Sequence, residues 1–88
     1  MSRRKKSAVG DLSRHQRRLW EKWQRRVHLQ VKRLREDNEL THREFGARLG
    51  VTGGTSIRWG SGKTMPDLPV LLDMMRQFKL PPAYFFDV

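Results

Sequence analysis

The chain has 88 residues, 36% of them hydrophobic and 32% charged. That is room for one small domain with a modest core. Its 19 Lys and Arg outnumber 9 Asp and Glu, for a formal charge of +10, and it contains no cysteine. The charge favours a polyanionic partner. The lack of cysteine excludes disulfides, thiolate nucleophiles and Cys-based zinc sites, and no apolar run approaches the roughly 18–20 residues of a membrane helix.

The charge is concentrated at the front. Residues 1–10 hold Arg3, Arg4, Lys5 and Lys6 with no acid. They read as a flexible basic arm whose side chains meet nucleic acid. This start has no apolar signal-peptide core, which predicts a cytoplasmic protein. Its Arg-rich amphipathic character resembles a mitochondrial transit peptide, but the helix that follows runs straight into the globular half. Residues 11–37 hold nine basic side chains against four acidic ones, and residues 38–88 are close to neutral, with six against five.

The remaining residues, 11–88, read as a single helical domain. From Asp11 to about Asp37 there is no Pro, and no Gly after Gly10. Leu12, Leu19, Trp23, Val27, Val31 and Leu34 share one side of a 3.6-residue wheel, with Trp20 at its edge. Arg14, Arg18, Lys22, Arg25, Lys32 and Arg33 take the other side, and only Leu29 breaks the pattern. This is an amphipathic helix with a basic back, about 40 Å long if unbroken at Val27–His28. Its stripe serves as core or, around Trp20 and Trp23, as a seat for a second subunit.

After Asn38–Glu39–Leu40, Thr41 and Glu44 form a capping box for a second helix carrying Phe45, Gly46 and Leu49. Gly50 ends it in a left-handed turn. Thr52 caps a third helix containing Ile57, Arg58 and Trp59, which Gly60–Ser61–Gly62 closes. Asp67 caps a fourth with Pro69 in its first turn, its buried face predicted as Leu68, Leu71, Leu72, Met75 and Phe78. Pro81–Pro82 breaks the chain before a last short turn over Ala83–Phe86. The expectation is an all-α domain of about five helices. Within it, residues 41–62 form two short helices around a Gly-containing turn, with Gly46 allowing their close approach.

Leu40–Thr41, Phe45–Gly46, Leu49–Gly50–Val51–Thr52, Arg58–Trp59, Gly62–Lys63, Pro66, Leu68 and Leu71–Leu72 stand in one order. That order resembles the Cro/lambda-repressor (XRE) class of helix-turn-helix domain. The resemblance covers residues 34–86. It implies a lambda-repressor-like helical fold that binds operator DNA as a homodimer, its third helix, about residues 52–60, entering the major groove. It places Thr52, Gly53, Gly54, Thr55, Ile57 and Arg58 on the reading helix, with Thr55, Ile57 and Arg58 as base contacts, Ile57 through a thymine methyl. It also places His42, Arg43, Lys63 and Thr64 at backbone phosphates. The sequence departs from the class at Gly53 and Gly54, which offer no side chain. It departs again at Ser56, where Ile or Val normally enters the core. Either the helix starts late, near Thr55, or its face is rotated.

Two motifs are set aside. Gly60–Ser61–Gly62–Lys63–Thr64 imitates the end of a phosphate-binding loop, but the required upstream Gly is Ile57 and no strand precedes it. His15, His28 and His42 lack metal-ligand spacing. No enzyme, cofactor, metal or small-molecule ligand is expected. The leading reading is a nucleoid-associated transcriptional regulator, a repressor, on double-stranded DNA. An architectural DNA binder of weak selectivity and a protein-interaction module such as an antitoxin are the alternatives. Homodimerisation is assigned to Tyr84–Phe85–Phe86, with Leu19–Trp20–Trp23 as the other candidate surface.

Overall fold

In the computed structural model, residues 12–87 are described. Five helices follow in chain order: α1 (Arg14–Asp37), α2 (His42–Arg48), α3 (Gly53–Ser61), α4 (Leu68–Phe78) and α5 (Ala83–Phe86). No strand occurs among the described residues, and none of their helices is long and apolar enough to cross a membrane.

α1 begins at a cap that the pattern of apolar residues did not announce. Ser13 Oγ accepts from the Gln16 N–H at 3.2 Å, and Gln16 Oε1 accepts from the Ser13 N–H at 3.0 Å. Each side chain thereby satisfies an amide that the first helical turn leaves without a partner. The helix then runs unbroken through Val27–His28 for 24 residues, because neither Pro nor Gly interrupts it. It stops where Asn38 Nδ2 donates to the Leu34 carbonyl at 2.8 Å and Glu39 turns the chain with φ +56.

The core is assembled from every helix. Val27, Val31 and Leu34 of α1 meet Phe45, Leu49, Trp59, Leu71, Met74 and Phe85. Phe45 lies at its centre, edge-on to Trp59 at 6.5 Å and tilted against Phe78 at 6.0 Å. The predicted buried face of α4 needs correction. Leu68 and Leu72 are 55% and 54% exposed, while Met74 is fully buried. Leu71, Met74 and Phe78 recur at helical spacing along one stripe. Leu72 lies a quarter-turn from it, and Leu68 sits in the first turn, facing a surface recess shared with Trp20, Trp23 and Met65.

α5 is a single turn, too short to persist by itself. Side chains of α1 hold it. Arg26 Nε and Nη2 donate to the Tyr84 and Ala83 carbonyls at 3.2 and 3.1 Å, and Gln30 Nε2 donates to Tyr84 O at 3.1 Å.

Candidate functional site

α2 starts at Thr41. Its Oγ1 accepts from the Glu44 N–H at 3.0 Å, and its own N–H donates to Glu44 Oε1 at 2.8 Å. The Thr41 backbone N–H first, and the Thr41 hydroxyl second, hold the Glu44 carboxyl below its usual range. The helix ends as Gly50 takes φ +73, and the Val51 N–H returns to the Gly46 carbonyl at 2.8 Å. A methyl group on Gly46 would stand 2.7 Å from Val51 O and 2.8 Å from Thr52 O. Both obstacles are backbone, so the turn keeps this shape only with glycine there.

α3 starts directly at Gly53, with Thr52 Oγ1 accepting from the Thr55 N–H at 3.2 Å. The expectation of a late start or a rotated face is therefore corrected. Ser56 takes the inward position and is 1% exposed, its Oγ 2.8 Å from His42 Nδ1. A buried hydroxyl needs a partner, and His42 supplies it from the first residue of α2.

That contact ties one ring nitrogen of His42, the expected phosphate contact, into the interior of the motif. Its Nδ1 is engaged between the two helices. Burial first, and the charge of Arg35 second, hold its pKa below the usual imidazole value.

The two glycines at the start of α3 differ. A side chain on Gly53 would press within 3.3 Å of the Arg43 backbone, so here the helices touch. A side chain on Gly54 would make only ordinary contacts, with the Arg58 guanidinium and Thr52 Oγ1 at 3.6 and 3.7 Å.

Gly54, Ile57, Arg58 and Ser61 form the outward face of α3, and all four are exposed. Most hydroxyls nearby are bonded internally. Arg58 Nη2 donates to Thr55 Oγ1 at 3.1 Å, Thr55 Oγ1 lies 3.2 Å from Thr52 Oγ1, and Ser61 Oγ donates to the Arg58 carbonyl at 3.2 Å. The guanidinium has five N–H donors, so most of them point to solvent. Arg43 stands beside the start of α3. Lys63 and Thr64 follow its end, their backbone amides on the Arg58 carbonyl at 2.9 and 3.3 Å and their side chains exposed.

Sequence reasoning passed over Arg25 and His28 as neighbours of the end of α3. They line a shallow recess with Gly62, and His28 Nδ1 lies 3.4 Å from the Trp59 carbonyl. Their i, i+3 spacing on the basic side of α1 was the available signal. Arg14, Arg17, Arg18, Lys22, Arg25 and Lys32 are exposed along that helix. Arg26 is instead occupied with α5, and Arg35 with the Leu40 carbonyl at 2.7 Å. Arg3, Arg4, Lys5 and Lys6 lie outside the described residues.

The C-terminal aromatic group is away from this face and requires a correction. Phe85 is fully buried and belongs to the protomer's own core, since one helical turn sends it and Phe86 to different sides. Tyr84 is half-buried, its hydroxyl donating to the Gln30 carbonyl at 3.4 Å. Burial is the main cause raising its pKa. Phe86 is 39% exposed and stacks on Trp23 at 5.6 Å, and Trp23 meets Trp20 at the same distance. Of the C-terminal surface, Phe86 joins the other candidate surface in one patch with Leu12, Leu19, Trp20 and Trp23.

Among the described residues, no three His, Asp or Glu side chains gather as metal ligands. What the arrangement offers is a narrow projecting helix face, one largely free guanidinium and basic side chains around it. Comparison with protein-family models, with characterised proteins and with solved structures finds no match to this chain.

Proposed function

We propose that this protein is a helix-turn-helix regulator of the lambda-repressor-like type. It places α3 in the major groove of double-stranded DNA and represses by occupying an operator in the nucleoid. One observation carries the reading: α3 buries Ser56 and Trp59 against the body while Gly54, Ile57, Arg58 and Ser61 are exposed along the opposite side. A helix so held fits a groove about 12 Å wide. The exposed Arg43 and Lys63 at its two ends suit the flanking phosphates, and the basic side of α1 adds sequence-independent attraction.

One such unit reads few base pairs, so the reading pairs two copies on one DNA face. The patch of Leu19, Trp20, Trp23 and Phe86 is where they meet, as the main aromatic surface left outside the core. A second reading, weakly selective binding, draws on the bare Gly54 and the internally bonded hydroxyls.

Selection of fragments from a random DNA pool, followed by titration of the enriched duplex, tests the proposal. A short enriched motif is expected. Arg58→Ala should weaken binding to it by about 1–3 kcal/mol and relax one position. Uniform weakening on all sequences favours the second reading, and binding to no duplex rejects both.

A further inference from the structure

We infer that the front half of α1 anchors the protein to an anionic lipid surface, a binding function separate from that of α3. The buried residues of α1 begin at Val27, so residues 14–26, about 20 Å of helix, project past the core. Leu19, Trp20 and Trp23 share one side of this stretch, and Leu12 and Phe86 extend it into one apolar patch. Leu19 and Trp20 have no place in the core. By helical spacing Arg17 and Lys22 stand at the two borders of the patch, with Arg14, Arg18 and Arg25 on the far side, and all five are exposed. Residues 14–26 hold six basic side chains against Glu21 alone. Indole and phenyl rings suit the boundary between lipid headgroups and acyl chains. Long basic side chains beside them reach the lipid phosphates while their stems stay against hydrocarbon. A helix with leucine and tryptophan on one side and arginine on the other lies in a membrane surface rather than across it. Charge selects this occupant. A second copy brings the same positive flanks to the patch, whereas an anionic bilayer brings the opposite sign, and each basic residue near it adds attraction. The lipid surface therefore competes for these side chains with the pairing proposed above, which a duplex favours by holding two copies together.

The test uses the full chain without DNA and two kinds of vesicle, one of phosphatidylcholine alone and one of equal parts phosphatidylcholine and phosphatidylserine. Trp20 and Trp23 report on contact, because Trp59 is 4% exposed and keeps its surroundings. With the mixed vesicles the indole emission should shift to the blue and be quenched by lipids brominated along the acyl chains. With phosphatidylcholine alone, at the same lipid concentration, both changes should be absent. Trp20→Ser should weaken partition about tenfold, and Arg17→Gln and Lys22→Gln about fivefold each. All three side chains are outside the core, as unchanged melting temperatures will verify. Equal partition into the two vesicles overturns the inference. Co-sedimentation without a change in emission, or unaltered by Trp20→Ser, is adhesion of a basic protein alone and also overturns it. So does an emission that vesicles leave unmoved while sedimentation reports a dimer, which gives the patch to a second copy. With no duplex present, none of these outcomes touches the DNA-binding reading.

Discussion

Gly46 and Gly54 sit eight positions apart and ask for opposite treatment. A Cβ on Gly46 runs into the Val51 and Thr52 carbonyl oxygens, whereas one on Gly54 meets nothing closer than 3.6 Å. Gly46→Ala should therefore cost about 1–3 kcal/mol through overpacking. Gly54→Ala should gain about 0.5–1 kcal/mol, because alanine loses less backbone freedom in a helix. Thermal unfolding checks both, and equal effects of one sign would remove the packing explanation. His42 makes a second residue-scale prediction. Its folded pKa lies below the ordinary imidazole value, so the fold favours the neutral ring. The stability this contributes is present above about pH 6.5 and lost as the pH falls through the lowered folded value. The melting temperature should drop more between about pH 7.5 and about pH 5 in the wild type than in His42→Gln. Equal drops would assign the pH response to other groups.

At the scale of elements, the short helices depend on what they touch. α2 has 7 residues and α5 has 4, lengths that do not persist alone in water. α2 is held by its capping box and the Gly46 turn, and α5 by Arg26 and Gln30. This dependence separates neighbouring phenylalanines. Phe85→Ala should destabilise the protomer by about 3–5 kcal/mol, as loss of a core aromatic does. Phe86→Ala and Trp20→Ala should leave the fold intact and shift sedimentation from dimer to monomer. A wild-type monomer at micromolar concentration, with and without DNA, would rule out the pairing. A dimer untouched by either surface substitution would place the interface elsewhere.

For the whole molecule, the decisive property is the separation of charge. Residues 1–37 carry 13 of the 19 basic side chains, while the helices after α1 are close to neutral. Binding to DNA should be steeply salt-dependent. If about six phosphates are neutralised, log K should fall with log salt at a slope near −5. Removing residues 1–10 should flatten the slope without changing the preferred sequence, and a slope left as it was would show that the arm makes no phosphate contact.

Much of the architecture was legible from local chemistry. Thr41 with Glu44, Thr52, Asp67 with Pro69, and Gly50 and Gly62 are boundary signals that act within a few residues, so they mark helix ends in any tertiary setting. The 3.6-residue recurrence of Val27, Val31 and Leu34 likewise named the core face of α1. Other assignments needed distant partners. Ser56 looked like a defect until His42, fourteen positions earlier, was found bonded to it. Phe85 and Phe86 are the same residue type on one short turn, and only the fit against α1 buries one and exposes the other. Periodicity alone put Leu68 and Leu72 inside, where the edge of the core decided otherwise. The sequence by itself determined the helices, their caps and the distribution of charge, because those follow from backbone hydrogen bonding and composition. The tertiary structure decided which polar group is satisfied and which apolar one is left outside, because both depend on contacts between residues far apart in the chain.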